Sequence, residues 1–189
     1  MYRTLAPLLL ALLLAAPASA ADYVIDTQKA HAFVQFRIQH LGFSWLYGRF
    51  NRFAGEFSYD EAAPERSTVS VTIDVGSLDT NHAERDKHLR SPDFFEVERF
   101  PEARFSSTAY RPGGDGRDTL EGELTLRGVT RPVSIAVQQV GAGQDPWGGY
   151  RRGFQGSTTL TLADYGFTRD LGPAARTAEL ILSIEGIRR

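Results

Sequence analysis

HAFVQFRIQHL, residues 31–41, alternates without a break. Ala32, Val34, Phe36, Ile38 and His40 fall on one side, and Gln35, Arg37 and Gln39 on the other. Successive strand side chains point to opposite faces, so a period of two over this length marks a half-buried β-strand. The pattern recurs in STVSVTIDVGSL (67–78), LEGELTLRGV (120–129), RPVSIAVQQV (131–140) and TAELILSIEGI (177–187). FNRFAGEFSYDE, ARFSSTAYR and GFQGSTTLTL are plausible further strands. Turn signals separate the runs, at Asp60–Pro64, Pro112–Gly116, Gly128–Pro132 and Pro146–Gly149.

About eight long strands joined mostly by tight turns imply an all-β chain, an antiparallel meander closing into a barrel. Gly55, Gly122, Gly156 and Gly186 interrupt strands where closure calls for bends or bulges. Periodicity does not say which face is inside, and an outer-membrane barrel would turn its apolar face outward. Three features favour the soluble form. The chain ends Ile187-Arg188-Arg189 rather than on an aromatic, its central connection is charged and helical, and its aromatics cluster in one connection instead of two girdles.

That central connection is TNHAERDKHLRSPDFF, residues 80–95. Asp79, Thr80 or Asn81 suits an N-cap, with Glu84 three residues after Asn81 as in a capping box, and the helix should run to about Leu89. Ser91-Pro92 offers a second helical start. Inserted between a strand ending near Leu78 and one beginning near Ala103, the segment lies across an open end of the barrel as a lid. Helical spacing pairs His82 with Asp86 and Glu84 with His88 and leaves the two histidines facing apart. A His–carboxylate pair is too few ligands for zinc, so no metal site is expected. Ser77 and Thr80 have no nucleophile-elbow context, and no catalytic residue is assigned.

The second concentration is LGFSWLYGRF, residues 41–50, whose Phe43, Trp45, Leu46, Tyr47 and Phe50 crowd a connection. Core filling explains them, and so does an apolar mouth to a ligand cavity, since connections are ordinarily polar and superficial. An eight-stranded barrel is wide enough to be filled by side chains or to hold one small ligand.

Residues 1–20, MYRTLAPLLLALLLAAPASA, combine Arg3, an apolar run from Leu8 to Ala16 and an Ala18-Ser19-Ala20 site. This is read as a secretory signal peptide cleaved after Ala20, too short for a comfortable bilayer span, so no stable membrane insertion is expected. Residues 21–189 then form one exported domain, periplasmic in a bacterium. With no cysteine there is neither a disulfide framework nor a thiolate site. A net charge of −2 gives no support for nucleic-acid binding.

ADYVID, HAFVQFRIQHLGFSWLYGRF, TNHAERDKHLRSPDFF, FPEARF, LTLRGVTRPV, GQDPWGG, GFQGSTTL, LGPA and IEG occur in this order over nearly the whole mature chain. In this the sequence resembles the periplasmic YceI family. The resemblance implies an extended lipocalin-like fold, an eight-stranded antiparallel barrel with a short helical insertion, and a binding or carrier protein rather than an enzyme. It implies as ligand a long-chain polyisoprenoid or similar amphiphile, such as an isoprenoid quinone or prenyl phosphate, with no cofactor besides that lipid. On that reading Phe36, Ile38, Phe53, Phe57, Val71 and Ile73 line the tunnel, and Phe43, Trp45 and Phe94 shape its mouth. Asn81, His82 and Arg85 would meet a phosphate headgroup at the lid helix N-terminus. Alternatives are an enzyme acting on the lipid and a stress-related interaction protein. Phe167, taken as exposed, and the loop from Asp164 to Pro173 are a candidate homodimer interface.

Overall fold

The computed structural model describes residues 20–189. The proposed signal peptide, Ala20 apart, lies outside the described residues. The elements run β1 (Ala21–Ile25), β2 (Phe33–His40), β3 (Ser44–Phe50), β4 (Phe53–Tyr59), β5 (Thr68–Asp74), β6 (Leu78–Asp79), α1 (Ala83–Arg90), β7 (Glu102–Arg111), β8 (Asp118–Leu126), β9 (Val129–Gln144), β10 (Tyr150–Thr161) and β11 (Thr177–Arg188).

Pairing reduces these strands to eight staves. β1 and β2 form one interrupted stave, because both pair with β11: Tyr23 faces Arg188, and Phe36 faces Leu180. β3 and β4 form the next, against β2 and β1 in turn. β5 with the short β6 forms the third, against β4 and β3. β7 to β11 follow in sequence order, every pairing is antiparallel, and β11 returns to the first stave. The described residues form an eight-stranded antiparallel barrel with one short α-helix. Closure leaves the described residues no long unpaired edge of the kind that templates aggregation. Among the described residues, no helix is long and apolar enough to cross a membrane.

The apolar faces turn inward. Val34 and Phe36 of β2, Leu124 and Leu126 of β8, Ile135 of β9 and Leu160 of β10 are all buried. Glycine makes room for aromatic rings from nearby strands to lie over the backbone on the inner face. A Cβ on Gly48 would come within 2.3 Å of the Phe36 ring, and one on Gly186 within 2.4 Å of the Phe57 ring. One register shift, between Ser107 and Ala109, lies opposite Gly122, a glycine expected at a bulge; the other falls at Gly153/Phe154.

The segment Gly128–Pro132 is not a loop. The turn is confined to Arg127 and Gly128, both at positive φ, and β9 runs through Pro132. Pro132 faces Glu123 of β8, while pairing of β9 with β10 begins only at Ala136, so the missing N–H falls on an unpaired side. The helix forms where expected, but His82 is its N-cap, its Nδ1 accepting the Arg85 N–H at 3.1 Å. Ser91-Pro92 begins a run of turns rather than a second helix.

Candidate functional site

Inside the barrel, the side of β11 nearest its start borders a cavity of about 640 Å³. Val34, Phe36 and Ile38 of β2, Leu46 and Phe50 of β3, and Ile73 of β5 form one wall. Ala103, Leu124, Leu126, Leu160 and Leu180 form the other. The roof comes from Leu89 of α1, Phe94 and Phe95 after it, and Phe167 and Leu171 of the loop before β11. Exposed Leu41 and Leu171 also border the space, so it opens to solvent there.

A second chamber of about 120 Å³ continues toward the other end, among Ile25, Phe57, Val71, Phe105, Phe154 and Ile184. Val34, Ile73, Leu124 and Leu180 border both chambers and form the waist between them. The walls are therefore hydrocarbon over most of their length.

Beyond the second chamber the barrel is stoppered. Tyr23 stacks on Phe57 with centroids 4.7 Å apart. The buried Arg152 guanidinium lies 4.2 Å from the Tyr59 ring, donates to Gln139 Oε1 at 2.5 Å and pairs with Glu61. Tyr110 donates to Asp118, and burial together with that carboxylate pushes its phenol far above the ordinary tyrosine range. The two ends thus differ in kind, one apolar and open, the other polar and closed.

The polar groups at the open end are few: Gln39, His40, Arg85, His88 and Asp170. Arg85 donates through Nε to Thr80 Oγ1 and through Nη2 to Thr80 O, both at 2.7 Å. Asp86 is not His82's partner. It is buried and accepts from the Thr80 N–H at 2.9 Å and the Thr80 hydroxyl at 2.5 Å, which ties the helix to the strand before it. His88 does not meet Glu84 either; its Nε2 is 2.9 Å from Asp93 Oδ2, to which Arg169 Nη1 donates at 3.2 Å. The His88 hydrogen bond, with the Arg169 charge, holds the Asp93 carboxyl below the ordinary range.

Of the residues selected from sequence, Phe36, Ile38, Ile73, Phe94 and Arg85 border the large chamber, and Phe57, Val71 and Ile73 the small one. Phe53 packs against the core without bordering either chamber. Phe43 and Trp45 stand outside. Residues 44–50 are a strand rather than a connection, so parity decides: Leu46 and Phe50 turn in, and Trp45 turns out beneath Arg37, 4.3 Å from its ring centroid. Asn81 and His82 lie away from the cavity, Asn81 at φ 60 in the turn before the helix and His82 on its cap. Phe167 is not exposed; it is half-buried, its ring 5.2 Å from that of Phe95. His88, Phe95 and Leu171 were missed, because only the closed barrel brings the lid over the loop before β11.

Among the described residues one group has metal-ligand spacing, Asp26, His31 and Glu185. It lies at the closed end, and a cation already occupies it. Arg151 Nη1 donates to Asp26 Oδ2 at 2.8 Å and also contacts Glu185, while its Nε donates to Asp145 at 2.7 Å. Asp145 also accepts the Trp147 and Gly149 N–H groups, which is what GQDPWGG builds.

Comparison with known proteins is consistent along the chain. The model of the YceI-like domain matches residues 23–185. A UPF0312 protein of Ectopseudomonas mendocina is 59% identical over 177 residues, 94% of this chain and 93% of that one. Among solved structures, Burkholderia cenocepacia BcnA superposes with a TM-score of 0.75 at 20% identity, over 85% of this chain and 98% of that one. A polyisoprenoid binding domain from Saccharophagus degradans, implicated in plant cell wall breakdown, superposes with a TM-score of 0.64 at 17% identity, over 90% of this chain and all of that domain. Both solved structures share the fold, and the family match spans nearly every stave: the chain belongs to the YceI-like domain family.

Proposed function

We propose that the protein is a periplasmic carrier that holds the hydrocarbon chain of a long isoprenoid lipid in its barrel. The observation that carries this reading is the apolar cavity, two chambers joined at a waist, open at one end and stoppered at the other. Such a shape takes a long, narrow, apolar ligand by its tail. The polyisoprenoid binding named for the Saccharophagus degradans domain, which shares the fold, supports the ligand class. The signal-peptide pattern of residues 1–20 supports export.

The energetics need little beyond burial. Each CH₂-sized group removed from water stabilises by about 0.8 kcal/mol, so a five-carbon unit contributes about 4 kcal/mol gross. A few units exceed the roughly 4–15 kcal/mol lost in immobilising the ligand. Affinity should therefore climb with chain length until the lower chamber is full. In this reading Phe36, Ile38, Ile73, Phe57 and Val71 contact the chain, and Phe94 covers it from the lid side. Arg85 is the headgroup partner, because its Nη1 makes no hydrogen bond among the described residues. Asn81 and His82 hold the turn and the cap.

A length series of polyprenols delivered from cyclodextrin to lipid-free protein tests the proposal. Affinity rising per prenyl unit and then levelling is expected; no dependence on length would sink it. Arg85→Ala should weaken prenyl phosphates and leave quinones unchanged. Equal loss for both classes would remove Arg85 from the headgroup.

A further inference from the structure

We propose that the tip of the β2–β3 hairpin docks on the surface of an anionic phospholipid bilayer and brings the cavity mouth to the membrane. The inference rests on the lipid-binding reading above and names where the ligand is loaded.

The tip is built against its own stability. His40 accepts the Phe43 N–H at 2.9 Å across Leu41 and Gly42, whose φ angles are 53 and 80. Positive φ at both central residues of a hairpin turn calls for Asn-Gly or Asp-Gly. Leucine in the left-handed region is strained, and here it is also 62% exposed. It is unfavourable on both counts in water, and an outlier of this kind points to a function. Phe43 beside it is 86% exposed, and Trp45 and Tyr47 continue the apolar surface down the outer face of β3. Trp and Tyr rings suit the boundary between headgroups and hydrocarbon.

Two further observations select the partner. Leu41 is at once part of this exposed patch and part of the cavity wall, so the apolar surface runs unbroken from the tip into the barrel. The lid helix borders the same opening through Arg85 and His88. It carries Arg85 and the exposed Lys87 against the one exposed carboxylate of Glu84, since Asp86 is buried on Thr80 and Arg90 is turned onto the Gly76 and Leu78 carbonyls. Cations around an inserting apolar tip match an anionic lipid surface. A second copy of the chain fits less well, because a stable interface engages about 20–30 residues a side and this patch has four large apolar ones. The closed end also exposes an aromatic, Trp147, but it lies under Lys29 and Arg151 and borders neither chamber.

The chain has two tryptophans, Trp45 at the open end and Trp147 at the closed end. The test uses Trp147→Phe and Trp45→Phe proteins, each with one emitter, and vesicles of phosphatidylethanolamine and phosphatidylglycerol. Trp45 emission should shift to the blue and be quenched by brominated lipid, while Trp147 emission stays unchanged. Phe43→Asp should weaken vesicle binding by about 10- to 100-fold. Lys87→Glu should weaken it by about five-fold in a salt-sensitive manner. Neither should alter polyprenol uptake from cyclodextrin, which bypasses the membrane. Leu41→Asn should raise Tm by about 2–4 °C while lowering vesicle binding, which separates docking from misfolding.

A shift of Trp147 in place of Trp45 overturns the proposal, as does no vesicle binding with cyclodextrin uptake intact. So does a dimer in sedimentation that Phe43→Asp dissociates while vesicles remain unbound. Loss of uptake from cyclodextrin by the unmodified protein removes the lipid reading itself.

Discussion

Filling the cavity from its wall separates a ligand site from an ordinary core. Ala103 of β7 is buried, faces Ile73 across the sheet and borders the large chamber. Ala103→Trp adds about nine heavy atoms to that wall, roughly the space of two five-carbon units. At ~0.8 kcal/mol per CH₂ the displaced chain loses about 7 kcal/mol gross. Some displaced carbons will lie on the indole instead, so half of that, about 3–4 kcal/mol, is a safer figure. It corresponds to a loss of affinity of about 100- to 1,000-fold. The lipid-free protein should be unaffected or slightly more stable, because the indole enters space that holds no side chain, and crowding costs only where packing is tight. Melting curves of lipid-free protein, with and without polyprenol, read both quantities. The unmodified protein should gain a ligand-dependent rise in Tm that Ala103→Trp lacks. A folded Ala103→Trp protein that keeps the full rise would refute the assignment of this chamber to the ligand.

Gly48→Ala should destabilise by about 1–3 kcal/mol, since its Cβ would enter the Phe36 ring, and Phe36→Leu in the same chain should restore part of that in urea unfolding. Asp26→Asn should cost about 1–3 kcal/mol at neutral pH, because it removes one of the three carboxylates that hold Arg151, Asp145 and Glu185 remaining. The sign with pH follows from the Asp26 carboxyl. Burial alone would raise it, but Arg151 and His31 hold it below the ordinary value of 3.8. The stabilisation is present above that value and lost as pH falls through the depressed one, so the gap between Asp26→Asn and the parent should close in strong acid. A gap of constant size down to acid unfolding would show that packing, not charge, is responsible.

The barrel was legible because its strands are long and half-buried. HAFVQFRIQHL and STVSVTIDVGSL each carry several turns of the period-two pattern, and both became staves with the expected faces inward. Residues 41–50 misled because Phe43, Trp45 and Tyr47 face solvent, which breaks the rule that aromatics mark the interior. Had the stretch been read as a strand, the parity of Leu46, Gly48 and Phe50 would have placed its inner face. The N-cap is His82 rather than Asp79, Thr80 or Asn81; Thr80 is engaged by Asp86, a contact between strand and helix that local spacing does not reveal. Arg151 and Arg152 show the same limit. Adjacent in sequence, they face opposite sides of one strand, one clamping Asp26, Asp145 and Glu185, the other stoppering the barrel beneath Tyr59.

The most direct test of the carrier reading is what the protein holds when it leaves the cell. The full chain, with residues 1–20, would be expressed in a Gram-negative host, released gently from the periplasm, and analysed by native mass spectrometry followed by solvent extraction. The account predicts mature protein beginning at Ala21 and carrying one long-chain isoprenoid per barrel, lost in Ala103→Trp. Well-folded protein that leaves the periplasm empty and takes up no added polyprenol would contradict it.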